Sequence, residues 1–144
     1  MKIFVDTWGW LALADRSDRG HAAAAKCYAD RSRPRGHIVT SDFVLDEVLT
    51  LLFLRLSFAD AAKFGGAILS SPSVKTESVT PERFRAAMAL RLKFSDKPKI
   101  SFTDLTSMVI MKELGISEVL TADSHFVQVG LGFRVLPEQT GSGC

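Results

Sequence analysis

The sequence predicts a single α/β domain built on a mainly parallel sheet of about five strands. Three observations carry that expectation. Short apolar runs such as Ile3-Phe4-Val5 and His37-Ile38-Val39-Thr40 alternate with longer stretches of helical periodicity. The first of these runs is continuously apolar, as in a strand buried on both faces. Capping and turn residues punctuate the boundaries between the two kinds of segment.

From Thr7 the pattern turns helical through Trp8, Leu11, Leu13 and Ala14, and it breaks in the polar loop Asp15-Arg16-Ser17-Asp18-Arg19-Gly20. An alanine-rich helix spans His21 to Arg31 and stops before Pro34 and Gly36. Strand two is His37 to Thr40. Ser41-Asp42 then supplies an N-cap for a helix to about Leu56. Ser57-Phe58-Ala59-Asp60 opens another helix, ended by Ser71-Pro72. Val74 to Val79 alternates as a strand with one wetter face. Thr80-Pro81-Glu82 starts a helix with proline at its first position. After the basic loop from Ser95 to Lys99 comes a helix from Thr103 to Leu114, with Gly115 as its stop. Glu118 to Thr121 is strand four and Phe133 to Leu136 is strand five. No repeat or linker divides the chain, so residues 1–137 read as one domain and 138–144 as a flexible tail.

Apolar residues at 47% and charged residues at 24% are ordinary for a globular protein. No apolar run approaches the ~20 residues of a membrane span. The N-terminus turns acidic at Asp6, too early for the apolar core of a signal peptide, so a cytoplasmic location is expected. Cys27 and Cys144 do not suggest a disulfide framework. Cys27 reads as a buried small apolar residue and Cys144 as part of a frayed tail.

In sheets of this kind the functional crevice lies beyond the carboxyl ends of the strands, and four acids gather there. Asp6 follows strand one, where an N-cap role is the plain alternative, although Thr7 is the more natural bearer of the cap. Glu47 shares a helix stripe with Phe43, Val44, Leu51 and Leu54, whereas Asp46 lies on the wet stripe of Asp42 and Thr50. A carboxylate among apolar neighbours is costly unless paired, the alternative being an edge glutamate that reaches water. Asp104 opens an apolar helix and completes Ser101-Phe102-Thr103-Asp104, which also matches a capping box. Asp123 follows strand four, with a turn role as the alternative, and His125 nearby is read as solvated rather than as a metal ligand. Four ionised carboxylates ~5 Å apart would repel by ~3 kcal/mol per pair at an effective dielectric of 20. Either protonation or a divalent cation has to relieve that charge. Oxygen ligands favour Mg²⁺ or Mn²⁺. Without these four acids the chain carries 18 basic against 12 acidic residues, a balance suited to a polyanion.

The order strand-Asp, helix-Glu, helix-start Asp, strand-Asp resembles the PIN-domain nucleases, above all the VapC-type toxins of toxin–antitoxin pairs. The likeness rests on Ile3-Phe4-Val5-Asp6-Thr7, Val44-Leu45-Asp46-Glu47-Val48-Leu49, Ser101-Phe102-Thr103-Asp104, Leu120-Thr121-Ala122-Asp123-Ser124-His125-Phe126 and Gly130 to Pro137. It departs at Ala122, where a large polar residue is more usual. The resemblance implies a three-layer α/β/α fold, Mg²⁺- or Mn²⁺-dependent endonucleolytic cleavage of RNA, a homodimer and an antitoxin partner. It implies that Asp6 and Asp104 hold the metal most directly, that Asp123 and Glu47 complete the site, and that Thr7, Ser101 and Thr103 support it.

Arg91, Lys93, Lys97 and Lys99 precede Asp104 and are candidates for phosphate contact, although a solvated helix end and loop explains the same charges. Trp8 and Trp10 read as core or interface residues before base-stacking ones. The rival readings are a PIN nuclease that processes RNA without being a toxin, and a PIN-like module that binds without cutting. An aspartyl-phosphate enzyme or receiver is disfavoured, since Asp6-Thr7-Trp8 lacks a second aspartate and no lysine follows Lys112.

Overall fold

Ile3, Phe4 and Val5 are fully buried in the middle strand of a five-stranded parallel sheet, in a computed structural model that describes residues 1–138 and 144. The strands are β1 (Ile3–Val5), β2 (Ile38–Ser41), β3 (Val74–Glu77), β4 (Glu118–Leu120) and β5 (Arg134–Leu136), in the order β3-β2-β1-β4-β5. Phe4 pairs with Val39 on one side and Val119 on the other. Successive side chains of a strand point to opposite faces, so the complete burial of β1, β2 and β4 means that helices cover both.

Seven helices do so among the described residues: α1 (Thr7–Ala14), α2 (His21–Arg31), α3 (Asp42–Arg55), α4 (Phe58–Ser70), α5 (Pro81–Lys93), α6 (Phe102–Leu114) and α7 (His125–Gln128). Their starts were legible. The hydroxyls of Ser41, Ser57, Thr80 and Ser101 each accept a backbone N–H three residues on, and Gly115 closes α6 in the left-handed conformation. The short α7 was not anticipated, because four residues carry too little periodicity. β3 stops at Glu77 instead of Val79. As an edge strand it packs only partly, so its pattern is not a clean alternation.

At the amino end of β4, Glu118 is buried and held by Arg31 of α2 at 2.6 Å and Arg134 of β5 at 2.9 Å. The expectation of two unpaired cysteines is corrected. Cys27 is buried as expected, but it forms a disulfide with Cys144, which is half-buried against the core. A separation of 117 residues hides such a meeting from any local pattern. Residues 139–143 of the expected flexible tail lie outside the described residues.

The chain steps outward from β1 to β2 and β3, then returns to β4 on the other side. The sheet order therefore reverses between β1 and β4, the point at which sheets of this kind hold their functional crevice.

Candidate active site

Asp6 is the first residue beyond β1 and is 2% exposed. The β1–β4 pairing continues through its N–H, which donates to the Leu120 carbonyl. One carboxyl oxygen accepts the Gly9 N–H at 3.0 Å and so caps α1. The other accepts the Thr121 hydroxyl at 2.8 Å. The cap therefore belongs to Asp6 and not to Thr7, which is buried in the first turn of α1. The helix comes close enough for this because residue 9 has no side chain: a Cβ there would lie 2.3 Å from the Leu120 carbonyl oxygen. Burial pushes the Asp6 carboxyl up to about 8, against the opposing pull of its two hydrogen bonds. The charges of Asp104 and Asp123 add smaller pushes upward. Desolvation thus outweighs the mutual repulsion that the sequence argument relied on.

Asp104 and Asp123 approach from two other elements and meet at His125. The His125 Nδ1 lies 3.2 Å from an Asp104 oxygen and 3.0 Å from an Asp123 oxygen. The Ser101 hydroxyl fixes the first turn of α6 by accepting the Asp104 N–H at 3.0 Å. Asp123 is fixed at both ends: its N–H donates to the Thr121 hydroxyl and its carboxylate accepts the His125 N–H, each at 2.9 Å. Burial raises the Asp104 carboxyl above the usual carboxylate range, with the His125 contact opposing the shift. Asp104, Asp123 and His125 each offer a ligand atom, and these atoms lie within 4.8 Å of one another.

Thr121 is the hinge of this arrangement. Its single hydroxyl donates to Asp6 and accepts from Asp123, joining two of the acids through one atom. Neither Thr121 nor His125 stood among the candidate site residues. The signal available was their spacing, Thr121-x-Asp123-x-His125 directly after a strand.

Glu47 stands apart from this cluster. It is half-buried on α3 and lines a recess with Phe43, Asp46, Thr50, Leu51 and Thr103, and among the described residues no hydrogen bond joins it to the other three acids. Its stripe is less apolar in fact than in sequence, since Leu54 is 76% exposed.

The basic candidates divide. Arg91 donates to the carbonyls of Phe94, Lys97 and Ile100, so its guanidinium is spent on holding the loop that leads into α6. Lys97 pairs with Asp96, and Lys93 and Lys97 both lie over the Phe94 ring. Lys99 is exposed. Trp10 is core, its indole N–H donating to Thr40, while Trp8 is 43% exposed beneath Arg55.

A sequence model of the PIN domain matches residues 3–131. The chain belongs to the PIN-domain family. It is 35% identical over 136 residues to the 23S rRNA-specific endonuclease VapC20 of Mycobacterium tuberculosis, a match covering 94% of this chain and 99% of that protein. The crystal structure of VapC20, described as a toxin that cleaves the sarcin–ricin loop, superposes with a TM-score of 0.78 at 33% identity, covering 90% of this chain and 95% of that one. PAE2754 of Pyrobaculum aerophilum superposes with a TM-score of 0.65 at 17% identity, covering 94% and 89%. At that identity the likeness speaks for the PIN fold alone. The three-layer α/β/α architecture expected from sequence is the one observed.

Proposed function

We propose that this PIN protein is a divalent-cation-dependent endoribonuclease and the toxin of a toxin–antitoxin pair. The observation that carries the chemistry is the meeting of Asp104, Asp123 and His125 beside the buried Asp6. The toxin assignment leans on the likeness to VapC20 along nearly the whole chain. By the same likeness, the substrate class is a structured ribosomal RNA, and an antitoxin, a homodimer and a cytoplasmic location follow from a VapC way of working. No helix among the described residues is long and apolar enough to cross a membrane.

The residues present suit a divalent ion. Asp104, Asp123 and His125 offer closely spaced donors, and Asp6 is a carboxyl whose burial makes its charged form unfavourable until a cation compensates it. Asp6, Asp104 and Asp123 would hold Mg²⁺ or Mn²⁺, with His125 fixing the two outer carboxylates. Such an ion supplies Lewis acidity and activates water for attack on a phosphodiester. The protein's part is placement. Gly9 and Thr121 fix Asp6, Ser101 fixes the start of α6, and Thr121 with His125 fixes Asp123. On this reading Glu47, which lines the same recess as Thr103, would accept a proton at the edge of the site.

Purified protein is expected to cut structured RNA with Mg²⁺ or Mn²⁺ and to stop with EDTA. Asp104→Asn should lower the rate by several orders of magnitude while the circular dichroism spectrum stays native. Full activity of that variant, or activity indifferent to EDTA, would overturn the reading. Growth arrest on expression, relieved by the neighbouring gene's product, tests the toxin assignment.

A further inference from the structure

Building on the nuclease reading, we infer that the loop between α5 and α6 is a preformed rack for RNA phosphates. Lys93, Lys97 and Lys99 are its contacts, and Arg91 is the residue that positions them.

The loop is built around one guanidinium. Phe94 to Ile100 runs as two successive turns, the Lys97 N–H donating to the Phe94 carbonyl at 3.0 Å and the Ile100 N–H to the Lys97 carbonyl at 3.2 Å. Arg91 donates to the Phe94, Lys97 and Ile100 carbonyls at 2.7, 2.7 and 2.6 Å. A planar guanidinium holds several acceptors in one fixed geometry, which a lysine ammonium does not. The next residue, Ser101, caps α6 and accepts the Asp104 N–H, so the loop runs directly into the element that carries Asp104.

The charge on this loop is left unbalanced. The partners of Arg91 are neutral carbonyls, and among the described residues it meets no carboxylate. From Lys93 to Lys99 the chain carries three lysines against the single acid Asp96. Two of the lysines are gathered instead of spread: the ammonium groups of Lys93 and Lys97 lie 5.5 and 5.8 Å from the centre of the buried Phe94 ring. A merely solvated helix end would let like charges splay apart, whereas a polyanion relieves their repulsion. Lys97 also pairs with Asp96 at 3.0 Å, but Asp96 is exposed, and such a pair is weak enough for a phosphate to displace. Lys99 is exposed and has no hydrogen bond or ion pair among the described residues. Phosphate contacts position a nucleic acid and read no sequence. The rack therefore holds any RNA strand that reaches the α6 side of the site.

Salt titrations of RNA binding, run in EDTA so that nothing is cut, compare wild type with the triple variant Lys93→Gln, Lys97→Gln, Lys99→Gln. The control is Arg33→Gln with Arg35→Gln, two exposed cations ahead of β2 at the opposite end of the sheet. Losing three phosphate contacts should flatten the slope of log affinity against log salt by about 2–3, and the control should leave that slope unchanged. Equal slopes for wild type and the triple variant, or the same flattening in the control, would overturn the inference and leave the nuclease reading intact. Unchanged RNA affinity together with loss of a co-purifying protein partner would assign the lysines to that partner and overturn it as well. Arg91→Lys keeps the charge but not the fork, so KM for RNA cleavage should rise about threefold or more with kcat nearly unchanged. A fall in kcat at unchanged KM would mean that Arg91 serves α6 and Asp104 instead, and would overturn its positioning role. If wild type cuts no RNA, the nuclease reading fails, and the salt titrations alone decide the inference.

Discussion

Asp6 combines two demands that usually fall on different residues, capping a helix and standing ready as a charged ligand. Asparagine accepts the Gly9 N–H as well as aspartate does, so Asp6→Asn should keep α1 in place. It also removes a buried carboxyl raised to about 8. In metal-free protein between pH 4 and 8, the folded state keeps that proton while the unfolded state releases it. The native state then binds more protons, so stability falls as pH rises through this window and levels off above it. Denaturant titrations should therefore find Asp6→Asn more stable than wild type at pH 8 and nearly equal at pH 4, and an equal difference at both would refute the assignment. Thr121→Val tests the hydroxyl shared by Asp6 and Asp123. It keeps the shape and removes both bonds, so metal affinity should fall roughly 10- to 100-fold, with Thr121→Ser restoring much of it. At this scale the sequence marked three carboxyls that the structure brings near one another, but not the neighbours that join them. Asp6, Asp104 and Asp123 stood out because they follow strands or open a helix. His125 did not, because a loop histidine gives no sign of which carboxylates it will meet.

Among the elements, α1 and β4 decide whether the site exists. Their approach depends on Gly9, whose missing side chain leaves room for the Leu120 carbonyl. Gly9→Ala forces a methyl group against backbone that cannot rotate away. It should cost about 1–3 kcal/mol in thermal or denaturant unfolding, and more in cleavage rate than in stability, since α1 carries the Asp6 cap. An unchanged melting temperature with unchanged cleavage would show that the close approach does not matter. The elements themselves were largely legible. Ser41, Ser57, Thr80 and Ser101 announce helix starts by local chemistry, and the unbroken apolar run of β1 announces a strand covered on both sides. What local pattern hides is what pairs across distance. The Arg31–Glu118–Arg134 cluster and the Cys27–Cys144 bond join residues far apart in sequence, and Arg91 looked available for RNA until its three carbonyl partners were known.

At the scale of the whole molecule, the parallel order β3-β2-β1-β4-β5 places the reversal of the sheet between β1 and β4, and three acids from separate parts of the chain converge beyond it. Glu47 lies on a different wall, in the recess that α3 shares with Thr103 of α6. Of its stripe, Val44 is buried and Phe43 and Leu51 are partly buried, while Leu54 near the end of α3 is exposed. On the proposed function, these carboxyls are held together to take up a doubly charged ion. Calorimetric titration of Mn²⁺ into wild type and Asp104→Asn at pH 8 tests this most directly. Saturable uptake with proton release is expected of wild type, and binding weakened at least tenfold is expected of Asp104→Asn with its fold intact. Absence of uptake by wild type, or identical isotherms for the two proteins, would contradict it.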